Sequence, residues 1–354
     1  MAEAEARLTG DGGTVAPQTE GDPPGHSSGH PPCPREIISH QLHTLAKHHG
    51  GVIETGGVES IHRMRVATRK LQATLDMLVM KPDELGIKDR KKELRDWRRQ
   101  LSRVRNYDVF LEMIEKRTSA KKPVNLSQYK LIEDELKHRR SEIVLEVQEA
   151  LREIDLAGFA SKVGVRLGVL APDGHQKVDQ SDETQPSPDE RALLLLDDSA
   201  AIAARAKRRL ERRLREFEDR AAVVGPKDSP NDIHQLRIAA KRLRYSMDVV
   251  SNLGYGKAER ATNWLKRLQD RLGEIHDIDA FAEEIADLIG RRDYIRQQMS
   301  NSGKMLEAAS RIIAKRDNMV KTSLPVHVPS YVSSTVRRLT RKLESAAHSK
   351  TGKH

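Results

Sequence analysis

The chain has a single cysteine, Cys33, in 354 residues. That excludes an internal disulfide framework and a cysteine-rich zinc site, and it fits a reducing compartment. Aromatic side chains make up only 3%. The core must therefore be aliphatic, and a row of stacking platforms for single-stranded nucleic acid has no support. No run approaches the roughly 18 apolar residues that a membrane-spanning helix needs. The N-terminus is acidic at Glu3 and Glu5 and lacks the apolar run of a secretory signal, so a cytoplasmic protein is expected. Neither a GxxxxGKS/T loop nor a GxGxxG turn occurs, which leaves nucleotide binding by those routes unsupported. No Ser–His–Asp or Cys–His assignment presents itself. His26, His30 and Cys33 have metal-like spacing but sit in Pro/Gly-rich sequence with no frame for a tetrahedral site. His40 and His43 lack a further ligand, so neither a metal nor a cofactor is expected. Alternating strand-like runs are also missing.

What remains is helix. Ile61, Met64, Thr68, Leu71, Leu75 and Leu78 recur at three- and four-residue spacing, as do Leu94, Trp97, Leu101 and Val104, and Ile202, Ala206, Leu210, Leu214 and Phe217. The fold expected is all-α. Residues 1–34 hold six of the fifteen prolines and few large apolar side chains, the composition of a disordered tail. A second poor segment, 172–190, reads as an acidic linker between a first half at 35–171 and a second at 191–332. Residues 333–354 read as a basic C-terminal tail. Pro82, Pro123, Pro226 and Pro230 fall between apolar stripes, where interhelical turns are expected.

The halves repeat. Residues 61–71, IHRMRVATRKL, match residues 233–243, IHQLRIAAKRL, at an offset of 172. Further on, LSRVRNYD at 101–108 matches LGEIHDID at 272–279. Two copies of one helical unit packed together are expected. Asn106 and Asp277 stand where one helical pattern gives way to another. N-capping is their expected role, which puts Asp108 and Asp279 in a first turn or against a nearby arginine.

Charge follows the repeat. The chain carries 62 Lys/Arg against 52 Asp/Glu, a net charge of +10 and a pI near 9.6. Residues 62–105 have 14 Lys/Arg against 6 Asp/Glu, and residues 234–276 have 9 against 4. A third segment, 205–215 (RAKRRLERRLR), has 7 against 1, so the remainder of the chain is net acidic. Its Arg205, Arg208, Arg209 and Arg212 are expected to join the polyanion site, although the segment also reads as a nucleic-acid-binding stretch. In the first motif His62, Arg65, Arg69 and Gln72 lie one residue past the apolar stripe. His234, Arg237, Lys241 and Arg244 do the same in the second. Both stripes therefore border the buried seam. Lys91, Arg95, Arg98 and Arg105 share another face, matched by Lys266 and His276. A pseudo-twofold between the copies would bring the stripes to one positive groove or pore. There arginine forks would grip phosphate oxygens and lysines would add point charge.

The paired signatures IHRMRVATRKL with VRNYDVF, and IHQLRIAAKRLRY with IHDIDAF, resemble the CHAD domain over about residues 35–330, and 35–332 is taken as its extent. The resemblance implies two four-helix bundles related by a pseudo-twofold around a central basic pore. It implies binding of inorganic polyphosphate, and for some members association with polyphosphate granules and their proteins. Carried over by position, the binding residues are His62, Arg65, Arg69, Lys70 and Arg105, with His234, Arg237, Lys241, Arg242, Arg244 and His276 in the second copy. Two departures stand out: Gln72 faces Arg244 across the repeat, and His276 replaces the usual arginine. CHAD domains often accompany a triphosphate tunnel domain with an ExExK strand, and Glu133, Glu135 and Lys137 match that pattern formally. Leu131, Ile132 and Leu136 give that segment a helical period instead. A stand-alone, non-catalytic binding module is expected, with non-specific duplex DNA or RNA binding as the alternative.

Overall fold

A computed structural model of the chain describes residues 33–79, 86–119, 126–167, 198–225, 227, 229–290 and 292–348. Among the described residues there are ten α-helices and no strand. They are α1 (Pro34–Thr55), α2 (Val58–Leu78), α3 (Ile87–Thr118), α4 (Leu126–Arg152) and α5 (Leu156–Arg166), followed by α6 (Ser199–Val223), α7 (Pro230–Asn252), α8 (Glu259–Gly290), α9 (Arg292–Ser323) and α10 (Ser330–His348). The all-α expectation holds. The acidic linker, most of the N-terminal tail, and Pro82, Pro123 and Pro226 lie outside the described residues.

Local chemistry sets several helix starts. Asp155, Asp198 and Ser229 precede α5, α6 and α7, and each side-chain oxygen accepts a backbone N–H in the first turn. Pro230 follows Ser229 at the first helical position, where its missing N–H is harmless. At the end of α1, Gly56 adopts φ +54, and a Cβ there would lie 2.5 Å from Val144 Cγ1 on α4. Gln148 of α4 closes the same junction by donating to the Val52 and Ile53 carbonyls at 3.1 and 3.0 Å.

The repeat is visible in the helices themselves. α2 and α7 begin 172 residues apart, and α3 and α8 are both 32 residues long with the same offset. Successive helices pack from α1 to α4, with α1 meeting α4, and again from α6 to α9. Equivalent helices then meet across the halves: α2 with α7, α3 with α8 and α4 with α9. Their apolar faces form two cores. One includes Leu71 and Leu75 of α2, Leu94 and Trp97 of α3, and Leu243 and Met247 of α7. The other includes Phe110 and Ile114 of α3, Ile132 of α4, Phe281 and Ile285 of α8, and Ile312 of α9.

This arrangement corrects the capping expectation. Asn106 and Asp277 lie inside α3 and α8, and neither caps a helix. The apolar pattern changes there because each long helix passes from the first core to the second. The alternative for the neighbouring acids is what the structure shows. Arg140 donates to Asp108 at 2.6 Å and Arg316 to Asp279 at 2.8 Å, each reaching from the following helix. Asp108 is buried, so removing its partner leaves an uncompensated charge. Arg140→Met is expected to destabilise the fold by about 3 kcal/mol in chemical denaturation. A loss below about 1 kcal/mol would show that solvent already screens the pair.

The C-terminal tail is also corrected. Residues 333–348 belong to α10, whose Val332, Val336, Leu339 and Leu343 are buried against α6 and its neighbours. Arg338 donates to the Lys257 carbonyl at 2.8 Å, and Lys207 pairs with Glu344 at 2.7 Å.

Candidate functional site

Helix α2 presents Ile61, Met64, Thr68 and Leu71 to the core, which turns His62, Arg65 and Arg69 onto the rim. Helix α7 does the same with Ile233, Leu236, Ala240 and Leu243, leaving Arg237 and Lys241 beside them. These two rims face each other across a cleft of about 800 Å³ between the halves. Arg105 of α3 and His276 of α8 enter it from the flanks, and Ile312 and Lys315 of α9 line its far side. Seven of the expected residues therefore converge on one cavity: His62, Arg65, Arg69, Arg105, Arg237, Lys241 and His276.

Crowding of like charge out of bulk water shows in their protonation. Burial, reinforced by Arg69 and Arg105, pushes the Arg65 guanidinium down to about 9. Burial, with Arg69, Arg237, Arg98 and Arg65 close by, pushes the Lys241 ammonium down to about 6. Arg237 is lowered chiefly by burial. Burial also lowers His62, His234 and His276 from the usual histidine value, and the surrounding cations add to it. Arg65 Nε and His234 Nδ1 are buried without a hydrogen-bond partner. Buried polar groups are normally satisfied, so the free cleft holds cations and donors in excess of the acceptors offered to them.

The other expected residues are placed around or away from this cavity. His234 meets the lining residue His276 with ring centroids 4.9 Å apart and the rings tilted at 50°. Arg98 donates to Gln72 at 2.7 Å, so the glutamine that departs from the repeat orients a bordering arginine. Arg95 is exposed next to it. Lys91 is paired with Asp76, and Arg242 with Glu216 at 2.8 Å. Arg244 stacks 4.6 Å over the Tyr245 ring, and Lys70 stands near Asp248. Lys266 is exposed on α8 outside the lining. The basic segment of α6 does not reach the cleft: Arg208 and Arg212 are exposed, Arg209 donates to the Val79 carbonyl at 3.1 Å, and Arg205 is buried.

Sequence reasoning missed three further cations in the lining, Lys116, Arg117 and Lys315. Lys116 extends the Arg105 face by eleven residues and was legible in principle. Lys315 comes from α9, which carries no repeat motif. Four carboxylates were also missed: Glu112, Asp270, Glu274 and Asp277. Glu112 pairs with Lys116 at 2.7 Å, and Glu274 with Lys315. The lining contains no Phe, Tyr or Trp. The formal ExExK residues lie on α4, where Glu133 pairs with Lys137 one turn on and Glu135 with Arg139 at 3.0 Å. Among the described residues, no group of His, Cys, Asp or Glu has the arrangement to hold a metal, and no helix is long and apolar enough to cross a membrane.

Paired helical halves with a Lys/Arg-lined cleft between them define a duplicated helical module. The chain belongs to the CHAD domain family, whose model matches residues 36–286. Its fold is similar to the crystal structure of the CHAD domain from the plant Ricinus communis, with a TM-score of 0.56 and 17% sequence identity over 83% of this chain and 91% of that chain. No curated protein matches the chain in sequence.

Proposed function

We propose that this protein binds inorganic polyphosphate in the cleft between its halves without turning it over, and that it does so on polyphosphate granules. In this reading the halves are two four-helix bundles related by a pseudo-twofold, and the cleft is the basic pore between them. The observation that carries the reading is the meeting of eight Lys/Arg side chains from α2, α3, α7 and α9 in one cavity, half of them from the repeated motifs of α2 and α7. Membership of the CHAD family supports it. A thin, unbranched phosphate chain fits a cleft of this size, and multivalent capture with counterion release drives its binding. Asp108 and Asp279, which recur at equivalent positions of the repeat, are each committed to an arginine.

The exposed arginines of α6 favour a second reading, duplex nucleic acid held on an outer face. Titration calorimetry with long-chain polyphosphate and duplex DNA, matched in phosphate and run at about 150 mM salt, separates the two. Much tighter polyphosphate binding is expected, with an affinity that falls steeply as salt rises. Equal or stronger DNA binding would transfer the function to the outer face.

A further inference from the structure

The two halves line the cleft with different residues. The first half supplies Arg65, Arg69 and Arg105, followed by the neutral Asn106. At the equivalent second-half positions, His276 replaces Arg105 and Asp277 replaces Asn106. Asp277 is half-buried and lines the cavity. Arg65 of α2, Arg105 and Glu112 of α3, and Arg237 of α7 surround it, with His276 beside it on α8 and Lys315 of α9 across the cleft. Yet among the described residues no hydrogen bond or ion pair holds its carboxylate, whereas Asp108 and Asp279 are each pinned to an arginine. Burial outweighs the arginines and pushes its carboxyl above the usual range.

A carboxylate is the wrong group to meet the interior of a polyphosphate. Each interior phosphate carries a full negative charge and offers only acceptor oxygens, so a second acceptor repels it. A terminal phosphoryl group is different, because its second ionisation falls near pH 6, as in phosphate monoesters, and it keeps a hydroxyl that can donate. Resting on the polyphosphate reading above, we propose that Asp277 selects a chain end. Its carboxylate accepts the hydroxyl proton of a terminal phosphoryl group, while Arg237 and Arg65 hold that group's other oxygens. Arg69 and Lys241 hold the interior of the same chain. The ligand class is thus a linear polyphosphate with a free end.

The test compares linear tripolyphosphate with cyclic trimetaphosphate, which has no end group, on the wild-type chain and on Asp277→Asn. Asparagine occupies the equivalent position 106, so the substitution is isosteric and tolerated by the same helical setting. At about pH 6 the wild type is expected to prefer the linear ligand, and Asp277→Asn to shrink that preference by about tenfold, the worth of one charged hydrogen bond. The wild-type preference should fade as pH rises and the terminal hydroxyl ionises, and this fading should be lost in the variant, which keeps no carboxylate to repel the ionised end. If Asp277→Asn fails to fold, Asn106→Asp replaces it and should strengthen the linear preference. An unchanged linear-to-cyclic ratio, with long-chain polyphosphate still bound, would overturn this inference alone. Loss of long-chain binding to the wild type as well would overturn the polyphosphate reading with it.

Discussion

Replacing Lys241 with methionine is expected to raise the thermal midpoint of the free protein while weakening polyphosphate binding about tenfold or more. Lys241 is held among Arg65, Arg69, Arg98 and Arg237 out of bulk water. An apolar side chain of similar length removes that repulsion and desolvation, and replacing buried charge in this way is often stabilising by about 1–3 kcal/mol. The gain would appear as a few degrees in the midpoint. Its pH dependence has a definite sign. The folded Lys241 titrates at about 6 and an unfolded lysine near 10.5. Between those values the unfolded chain binds the extra proton, so wild-type stability rises with pH across that window. The variant loses this slope, and its advantage should be greatest near pH 6 and vanish towards pH 10. Reversing charge at Arg65, Arg69, Arg237 and Lys241 together should abolish binding with helicity intact. A lower midpoint for Lys241→Met with unchanged binding would remove Lys241 from the site.

Binding itself is expected to take up protons. At neutral pH the free cleft holds Lys241 and the imidazoles of His62, His234 and His276 largely neutral, because burial and neighbouring cations lower each of them. A polyanion in the cleft reverses the sign of the local potential and favours their charged forms. Calorimetric heats at pH 7 should therefore vary with the ionisation enthalpy of the buffer. The affinity should increase by about tenfold per unit of pH for each proton taken up between pH 8 and 6. Buffer-independent heats and a flat affinity profile would mean that permanently charged arginines do all the binding and that the titrating groups are structural.

The fold was legible where one helix face meets one neighbour. The stripes of α2 and α7 are short, apolar and duplicated, so the seam and the residues beside it followed from spacing. Reading failed where a helix changes partner. In α3, Tyr107 and Phe110 fall out of step with Leu94, Trp97, Leu101 and Val104, and the break reads as a helix end. It marks the passage from one core to the other. The charge of Arg337, Arg338, Arg341 and Lys342 likewise drew attention from Val332, Val336, Leu339 and Leu343, whose spacing is that of a buried helical stripe. Lys315 and Glu274 were out of reach for another reason. They belong to the cleft only because α9 packs on α8, and no periodicity within either segment encodes that.

Phe110 and Phe281, equivalent residues of α3 and α8, touch edge to face with centroids 5.5 Å apart. Contacts of this kind, in which a position meets its own counterpart, are those of a symmetric dimer. In a dimer of two identical chains every substitution appears twice, so a carboxylate placed on one copy's helix would also stand on the other's. Covalent tandem linkage removes that constraint. One half can keep Arg105 and Asn106 while the other carries His276 and Asp277, so that equivalent positions of a duplicated unit take on different chemistry.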